Sequence, residues 1–317
     1  MADPIRFIDA EEVRERLDHR ICIDLMRGAM IALAEGRSRQ LLRGIIDLDG
    51  GDLFGVMPGA LDGAGFGAKI ISIFPAAAAH GSSHQGVIIL FDRVSGAPVC
   101  VIDASEVTAI RTAAASAAAT DALARPAASR LAIIGTGEQA WHHVAAIRYV
   151  RSLTDVRIWG RAPEKAEELA DRVTRDLGLT AQVAASVAEA AVGADIICTL
   201  TGAAEPILLN GHIADGVHIN AVGSSRAGPS EIDIALVARA RFVPDHREGV
   251  LAQGAEYLRA RDAGVITEAH VLPEVGHVFS GAAPGRLTAL DVTIYKSLGS
   301  IVQDLASAAW LWKTYSS

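Results

Sequence analysis

Apolar residues at Val13, Leu17, Ile21, Leu25 and Ala29 recur at every fourth position, with charged residues between them. That spacing predicts one amphipathic helix over residues 9–35. From Leu41 the period shortens. The runs 41–48, 53–57, 66–74, 86–91 and 98–102 read as short strands, separated by turn chemistry at Asp49-Gly50-Gly51, Pro58-Gly59 and Asp92 to Gly96. A loop over 75–85 turns polar at its end, with His80, Ser82, Ser83 and His84. The first hundred or so residues are therefore α+β, with hairpins.

At Asp103 the pattern changes again. Ser105 to Leu123 is a run of mostly Ala, Ser and Thr, read as a helix that ends near Pro126. Strand-like and helix-like segments then alternate at 131–134, 138–149, 156–159, 163–177, 182–185, 187–191, 196–200, 218–221 and 241–244. Such alternation means βαβ units and a parallel sheet. Residues 287–312 read as a closing helix.

Composition sharpens this picture by exclusion. Half of the 317 residues are apolar and 21% are charged, which supports a globular chain with an ample core. The net charge of −8, with no run of like charges, argues against a nucleic-acid partner or an anionic membrane surface. No uncharged apolar stretch reaches the about 18 residues of a membrane span. Cys22, Cys100 and Cys198 lie far apart in apolar runs and read as buried free thiols. The N-terminus moves directly into a helix pattern without a signal-peptide profile, so the expected location is cytoplasmic. No metal-ligand spacing and no nucleophile-elbow motif occurs, and no metal is expected.

The strongest chemical signal is Leu131-Ala-Ile-Ile-Gly135-Thr136-Gly137-Glu138-Gln139-Ala140, an apolar strand, then G-x-G-x-x-A, then a helix. The first glycine permits the tight turn and the second allows a pyrophosphate to approach the backbone. A small third residue keeps helix and strand close, and the helix N-terminus offers N–H groups to phosphate. At the end of the next strand, where NAD enzymes usually place an acid for the ribose 2′-OH, the chain has Ile158-Trp159-Gly160-Arg161. A guanidinium there suits a 2′-phosphate, so NADP(H) is favoured and NAD(H) is the alternative. The bland explanation is a solvated surface arginine.

Three cations fall where cations are costly. Lys69 alternates with Ile71 and Ile73, Arg111 lies within an Ala-rich helix, and Arg43 sits between Leu41-Leu42 and Gly44-Ile45-Ile46. Together they suggest a site for a carboxylate, with separate structural ion pairs as the alternative. His84 could donate to substrate or cofactor phosphate, or be simply solvent-exposed. Glu256, in Ala255-Glu256-Tyr257, could face a substrate, or be a solvated helix residue.

Gly67-Ala-Lys69 to Pro75, Ser83-His84-Gln85-Gly86, Asp92 to Gly96, Thr108-Ala-Ile-Arg111-Thr112, Gly135-Thr-Gly137-Glu-Gln139 and Tyr295-Lys-Ser297-Leu-Gly299 follow one pattern in one order. In these segments the chain resembles the ornithine cyclodeaminase/mu-crystallin family over nearly its whole length. The resemblance implies a homodimer whose subunits each have two domains. Residues 1–118 and 296–317 would form the α+β substrate-binding and dimerisation domain, and 119–295 a Rossmann-type doubly wound domain. It implies that Arg43, Lys69 and Arg111 hold a substrate carboxylate. It also implies that Arg111, Thr112, Gly135, Thr136, Gly137, Glu138, Gln139, Arg161, Thr199, Val222, Gly223 and Ser297 line a nicotinamide dinucleotide.

One departure directs the choice of reaction. Cyclodeaminases carry an Asp two residues after the Gly of the Asn-Ala-Val-Gly segment, and this chain has Ser225 there, in Asn220-Ala-Val-Gly223-Ser224-Ser225-Arg226. The acid that cyclodeaminases carry before the Met-Pro step is also missing, at Gly55-Val56-Met57-Pro58. The pattern is closer to the ketimine reductases, which implies hydride transfer to a small α-imino acid, with Lys69, Arg111 and Ser225 as catalytic candidates. The alternatives are an amino-acid dehydrogenase or cyclodeaminase of the same family, and a non-catalytic ligand-binding protein.

Overall fold

Strand β1 (Arg6–Ile8) precedes two helices, α1 (Ala10–Arg16) and α2 (His19–Ala34), where the apolar period predicts one. The break falls at Asp18, whose carboxylate accepts the Ile21 N–H at 2.7 Å and so caps a new helix start. The buried stripe shifts at the break: Val13, Leu17 and Ala29 are buried as the period predicts, whereas Ile21 and Leu25 are half-buried and Cys22, Met26 and Met30 are buried instead. The structure, a computed structural model, describes residues 5–80 and 84–316. Its chain divides into two units, one of residues 1–111 and 300–317 and the other of residues 112–299.

In the first unit β2 (Ser38–Gln40), β3 (Gly44–Asp47), β4 (Leu53–Leu61), β5 (Gly65–Ile73), β6 (His84–Phe91) and β7 (Pro98–Asp103) join β1 in one sheet. The order is β1-β7-β6-β5-β4-β2, with β3 also paired to β4. The pair β1–β7 is parallel and the remaining pairs are antiparallel. Pro58-Gly59 is not the expected turn, since β4 continues through both. Its other edge is covered by β3 up to Val56 and by β2 from Gly59, so Pro58, with no N–H to give, falls in the gap between the two. The C-terminal helix, Ile301–Ser316, belongs to this unit and packs Ile301 against Gly59, where a Cβ would come within 2.5 Å of Ile301 Cγ2.

Helix α3 (Ala104–Leu123) contains the division between the units, and nearly all of its residues from Val107 to Thr120 are buried. In the second unit the strands are β8 (Arg130–Ile134), β9 (Asp155–Trp159), β10 (Ala181–Val183), β11 (Ile196–Thr199), β12 (His218–Ala221), β13 (Arg241–Pro244) and β14 (Thr293–Lys296). Helices α4 (Glu138–Ile147), α5 (Pro163–Leu177), α6 (Val187–Ala191), α7 (Ile234–Arg239), α8 (Arg247–Gln253), α9 (Ala255–Asp262) and α10 (Val275–Phe279) lie among them in sequence. All strand pairs are parallel, in the order β10-β9-β8-β11-β12-β14-β13. This is the doubly wound arrangement that the alternating pattern predicts, and its order reverses between β8 and β11.

One expectation fails here. The stretch 287–312 is not a single helix, because residues 293–296 form β14 between β12 and β13, buried throughout. Val292, Thr293 and Ile294 are β-branched and Tyr295 is aromatic, which suits a central strand better than a helix. The helix begins only at Ile301.

Candidate functional site

In the first unit Lys69 reaches from β5 and Arg111 from α3, and both side chains are about 95% buried beside Asp304 of the C-terminal helix. Asp304 Oδ1 accepts from Arg111 Nε at 2.9 Å and from Lys69 Nζ at 3.4 Å. Lys69 Nζ also donates to Thr108 Oγ1 at 2.7 Å, and Arg111 Nη1 donates to Gln303 Oε1 at 3.0 Å. One carboxylate thus serves two buried cations. Burial pulls the Lys69 ammonium down to about 7; Asp304 opposes the shift, and the charges of Arg111 and Arg43 reinforce it. Arg43, half-buried just ahead of β3, is therefore close enough for its charge to act on Lys69. Asp304 Oδ2 is buried without a hydrogen-bond partner among the described residues.

The structure brings Lys69 and Arg111 together, and the carboxylate between them is what sequence reading missed. Its signal was present in Val302-Gln303-Asp304-Leu305, an acid at a fully buried turn of an apolar helix. His84 opens β6 opposite Ile73, and its side chain lies outside the described residues, as do Ser82 and Ser83 of the polar loop.

In the second unit the glycine turn has the conformation that the fingerprint requires. Gly135 has φ +125°, and a Cβ there would stand 2.7 Å from the Leu200 carbonyl oxygen. Its N–H donates to Trp159 O at 2.8 Å, which ties the turn to the end of β9. Gly137 is the N-cap of α4 and supplies no side-chain cap, so the positive end of the helix dipole faces this turn. Gln139 Oε1, in that first turn, is buried without a hydrogen-bond partner among the described residues. The glycine turn and the helix start at Gly137 fit a dinucleotide pyrophosphate. Arg161 is exposed just beyond β9, and the acid nearest to it in sequence, Glu164, is exposed in the first turn of α5.

Thr199, Val222 and Ser297, at or just beyond the ends of β11, β12 and β14, are buried, and Thr112 is buried in α3. The N–H groups of Val222 and Gly223 both donate to Thr199 O, at 3.1 and 3.0 Å. Ser225 follows, half-buried. Glu256 is not a solvated helix residue. It is fully buried on α9, with its Oε2 2.6 Å from Lys296 Nζ of β14. Lys296, Glu231 and Asp245 are buried charged groups in this unit that sequence reading did not single out. Among the described residues no group of His, Cys, Asp or Glu could hold a metal ion, and no helix is long and apolar enough to cross a membrane.

Comparison with known proteins agrees with this geometry. The mouse protein named ketimine reductase mu-crystallin is 39% identical over 235 residues, covering 74% of this chain and 71% of its own. The Δ1-pyrroline-2-carboxylate reductase of Bacillus cereus is 34% identical over 261 residues, covering 81% of this chain and 80% of its own. The structure of Thermococcus litoralis Δ1-pyrroline-2-carboxylate reductase in complex with NADH and L-proline superposes with a TM-score of 0.94 at 29% identity, covering 97% of this chain and 96% of that one. The family model for ornithine cyclodeaminase/mu-crystallin matches residues 6–317. The chain, from its cation-bearing sheet to its glycine turn, belongs to the ornithine cyclodeaminase/mu-crystallin family.

Proposed function

We propose that this chain is an oxidoreductase that reduces a small, cyclic α-imino acid to the amino acid, using NADPH in preference to NADH. The observation that carries the proposal is the cation surplus around Asp304. Lys69 and Arg111 share one carboxylate, so one further anion completes the set. A substrate carboxylate supplies that anion through charge-assisted hydrogen bonds to Lys69 and Arg111. The names of the relatives, which specify ketimine and pyrroline-2-carboxylate reduction, support the same substrate class.

When bound, the reduced nicotinamide supplies hydride to the imine carbon. The residues that would hold the dinucleotide are Gly135, Thr136, Gly137, Glu138 and Gln139 at the pyrophosphate, with Arg161 at a 2′-phosphate. Thr112, Thr199, Val222, Gly223 and Ser297 would line the rest. Lys69 and Arg111 orient the substrate by its carboxylate, which fixes the carbon that receives hydride. The imine binds as its iminium, so the bond that forms is C–H and the C=N electron pair stays on nitrogen. The neutral amine then takes a proton from water. Ser225 donates or accepts a hydrogen bond at that nitrogen but cannot act as the proton acceptor that a carboxylate provides, which favours reduction over cyclodeamination.

Exposed apolar residues of the first unit, among them Leu41, Ile46 and Leu48, support a homodimer formed through this sheet. Cys22, Cys100 and Cys198 are buried free thiols, each pushed up to about 12 by burial, in keeping with a reducing cytoplasm. The test supplies Δ1-pyrroline-2-carboxylate and Δ1-piperideine-2-carboxylate with each reduced cofactor, then L-ornithine and L-lysine with each oxidised one. Proline or pipecolate from the imines is expected. Ammonia release from the diamino acids would make the chain a cyclodeaminase instead.

A further inference from the structure

Strands β11 and β12 are neighbours in the parallel sheet, and beyond their ends the chain runs as Leu200-Thr201 and as Val222-Gly223-Ser224. Glu231, fully buried, accepts three hydrogen bonds from these two segments: Thr201 N–H at 2.6 Å, Thr201 Oγ1 at 2.7 Å and Gly223 N–H at 2.8 Å. The fit leaves no slack. A Cβ on Gly223 would lie 2.2 Å from Thr201 O and 2.6 Å from either oxygen of Glu231. One residue further along the same segment, Lys296 Nζ donates to Ser224 O at 2.5 Å.

The first of these segments also backs the glycine turn, because Leu200 O and Thr201 Cγ2 fill the space that a Cβ on Gly135 would need, at 2.7 and 3.2 Å. The contacts therefore run without interruption from Gly135 through Thr201 and Glu231 to Gly223. The sheet order reverses between β8 and β11, and in such sheets the ligand crevice lies outside the carboxyl ends of the strands, where these segments begin. A buried carboxylate is a costly device for joining two loops, and burial pushes its acid form up in pKa while the hydrogen bonds from Thr201 pull it down. Backbone N–H groups on both loops nevertheless converge on it.

We infer that Glu231 is a positioning residue for the cofactor: it locks the loops after β11 and β12 against the glycine turn and so sets dinucleotide affinity without touching the dinucleotide. The inference rests on the proposal that the second unit binds nicotinamide dinucleotide. It does not depend on which imino acid is the substrate.

The test is fluorescence titration of NADPH and NADH into the full chain, together with thermal unfolding of the cofactor-free protein. In Glu231→Gln one oxygen still serves Thr201, while an NH₂ group then faces the Gly223 N–H, donor against donor. The Kd of both cofactors should rise at least tenfold, with the KM for the imino acid at saturating cofactor changing less than twofold. Thr201→Val removes the hydroxyl contact to Glu231, together with the acceptor of the Ala203 N–H, and should raise both Kd values about threefold, and Thr201→Ser should restore them. A lower unfolding midpoint with wild-type Kd values in these variants would reduce Glu231 to a structural core acid and overturn the inference. If Glu231→Gln does not fold, the Thr201 pair decides between the two outcomes. Failure of the wild-type chain to bind either dinucleotide would instead sink the dinucleotide assignment itself.

Discussion

Each unit buries a lysine among hydrophobic residues, and the two lysines are arranged to opposite ends. Lys296 in the second unit is paired with Glu256 at 2.6 Å, with both side chains fully buried, and its charge also acts on Glu231. Lys69 in the first unit shares Asp304 with Arg111, which is the nearer of the two cations, at 2.9 Å against 3.4 Å. A matched pair is electrically complete and belongs to the scaffold. An unmatched one costs stability in the empty protein and is retained where an anion is to be bound. Under the proposed function, the difference separates a lysine that holds the fold from one that is set up to hold a ligand.

Removing each ammonium tests that separation, and the largest effect is expected at the matched pair. Lys296→Met strands the Glu256 carboxylate in the core and removes the donor to Ser224 O. Breaking a buried pair in this way costs about 3–5 kcal/mol, read as a large fall in the thermal or urea midpoint. Lys69→Met leaves Asp304 paired with Arg111, so its midpoint should fall much less. Its loss appears in kcat/KM for the imino acid, about 1.5–3 kcal/mol or roughly ten- to hundredfold, carried by KM. Unchanged kinetics with a large stability loss in Lys69→Met would make both pairs structural and erase the contrast.

The contrast was half legible in the sequence. Lys69 announces itself as a cation between Ile71 and the small residues of a strand, and Gly135 as the hinge of a strand–turn–helix. Both are local signals, since each residue is wrong for its surroundings unless a ligand or a special φ accounts for it. Asp304 is 235 residues from Lys69 along the chain, and no spacing rule joins them. Glu231 lies only eight residues after Gly223, yet nothing in Ser230-Glu231-Ile232-Asp233 says which acid turns inward and which caps α7. The helix break at Asp18 and the strand at 293–296 were hidden for related reasons. A capping side chain outcompeted an unbroken apolar period, and a four-residue strand buried on both faces carries no alternation to read.

Its burial also gives Lys69 a pH signature that sharpens the comparison. Burial, more than the neighbouring cations, brings its ammonium from about 10.5 down to about 7. Substrate binding through this group should therefore hold below about 7 and weaken about tenfold per pH unit above it, as the charge is lost. Stability moves the other way. Between about 7 and 10.5 the unfolded chain binds more protons than the folded one at this residue, so its contribution to stability rises with pH. Lys69→Arg, which stays charged throughout, should abolish the alkaline rise in KM that Lys69 causes. A rise that persists unchanged in Lys69→Arg belongs to deprotonation of the substrate iminium and would remove Lys69 from the pH profile.

The smallest effect is expected at Arg161, a cation that differs from Lys69 in being exposed. Arg161 follows Trp159-Gly160 at the end of β9, where a ribose-binding acid is absent. A guanidinium in water gains less from a 2′-phosphate than a buried one, because solvent and salt screen the pair. Arg161→Ala should therefore weaken NADPH by about tenfold, near 1.4 kcal/mol, and leave NADH unchanged within twofold. Ionic strength supplies the sharper readout. In the wild-type chain the Kd of NADPH should climb with salt more steeply than that of NADH, and in Arg161→Ala the two slopes should approach each other, because the charge that met the 2′-phosphate is gone. Equal affinity of the wild-type chain for the two cofactors, or a preference for NADPH that Arg161→Ala leaves intact, would transfer the choice of nucleotide to other groups and leave Arg161 as surface charge.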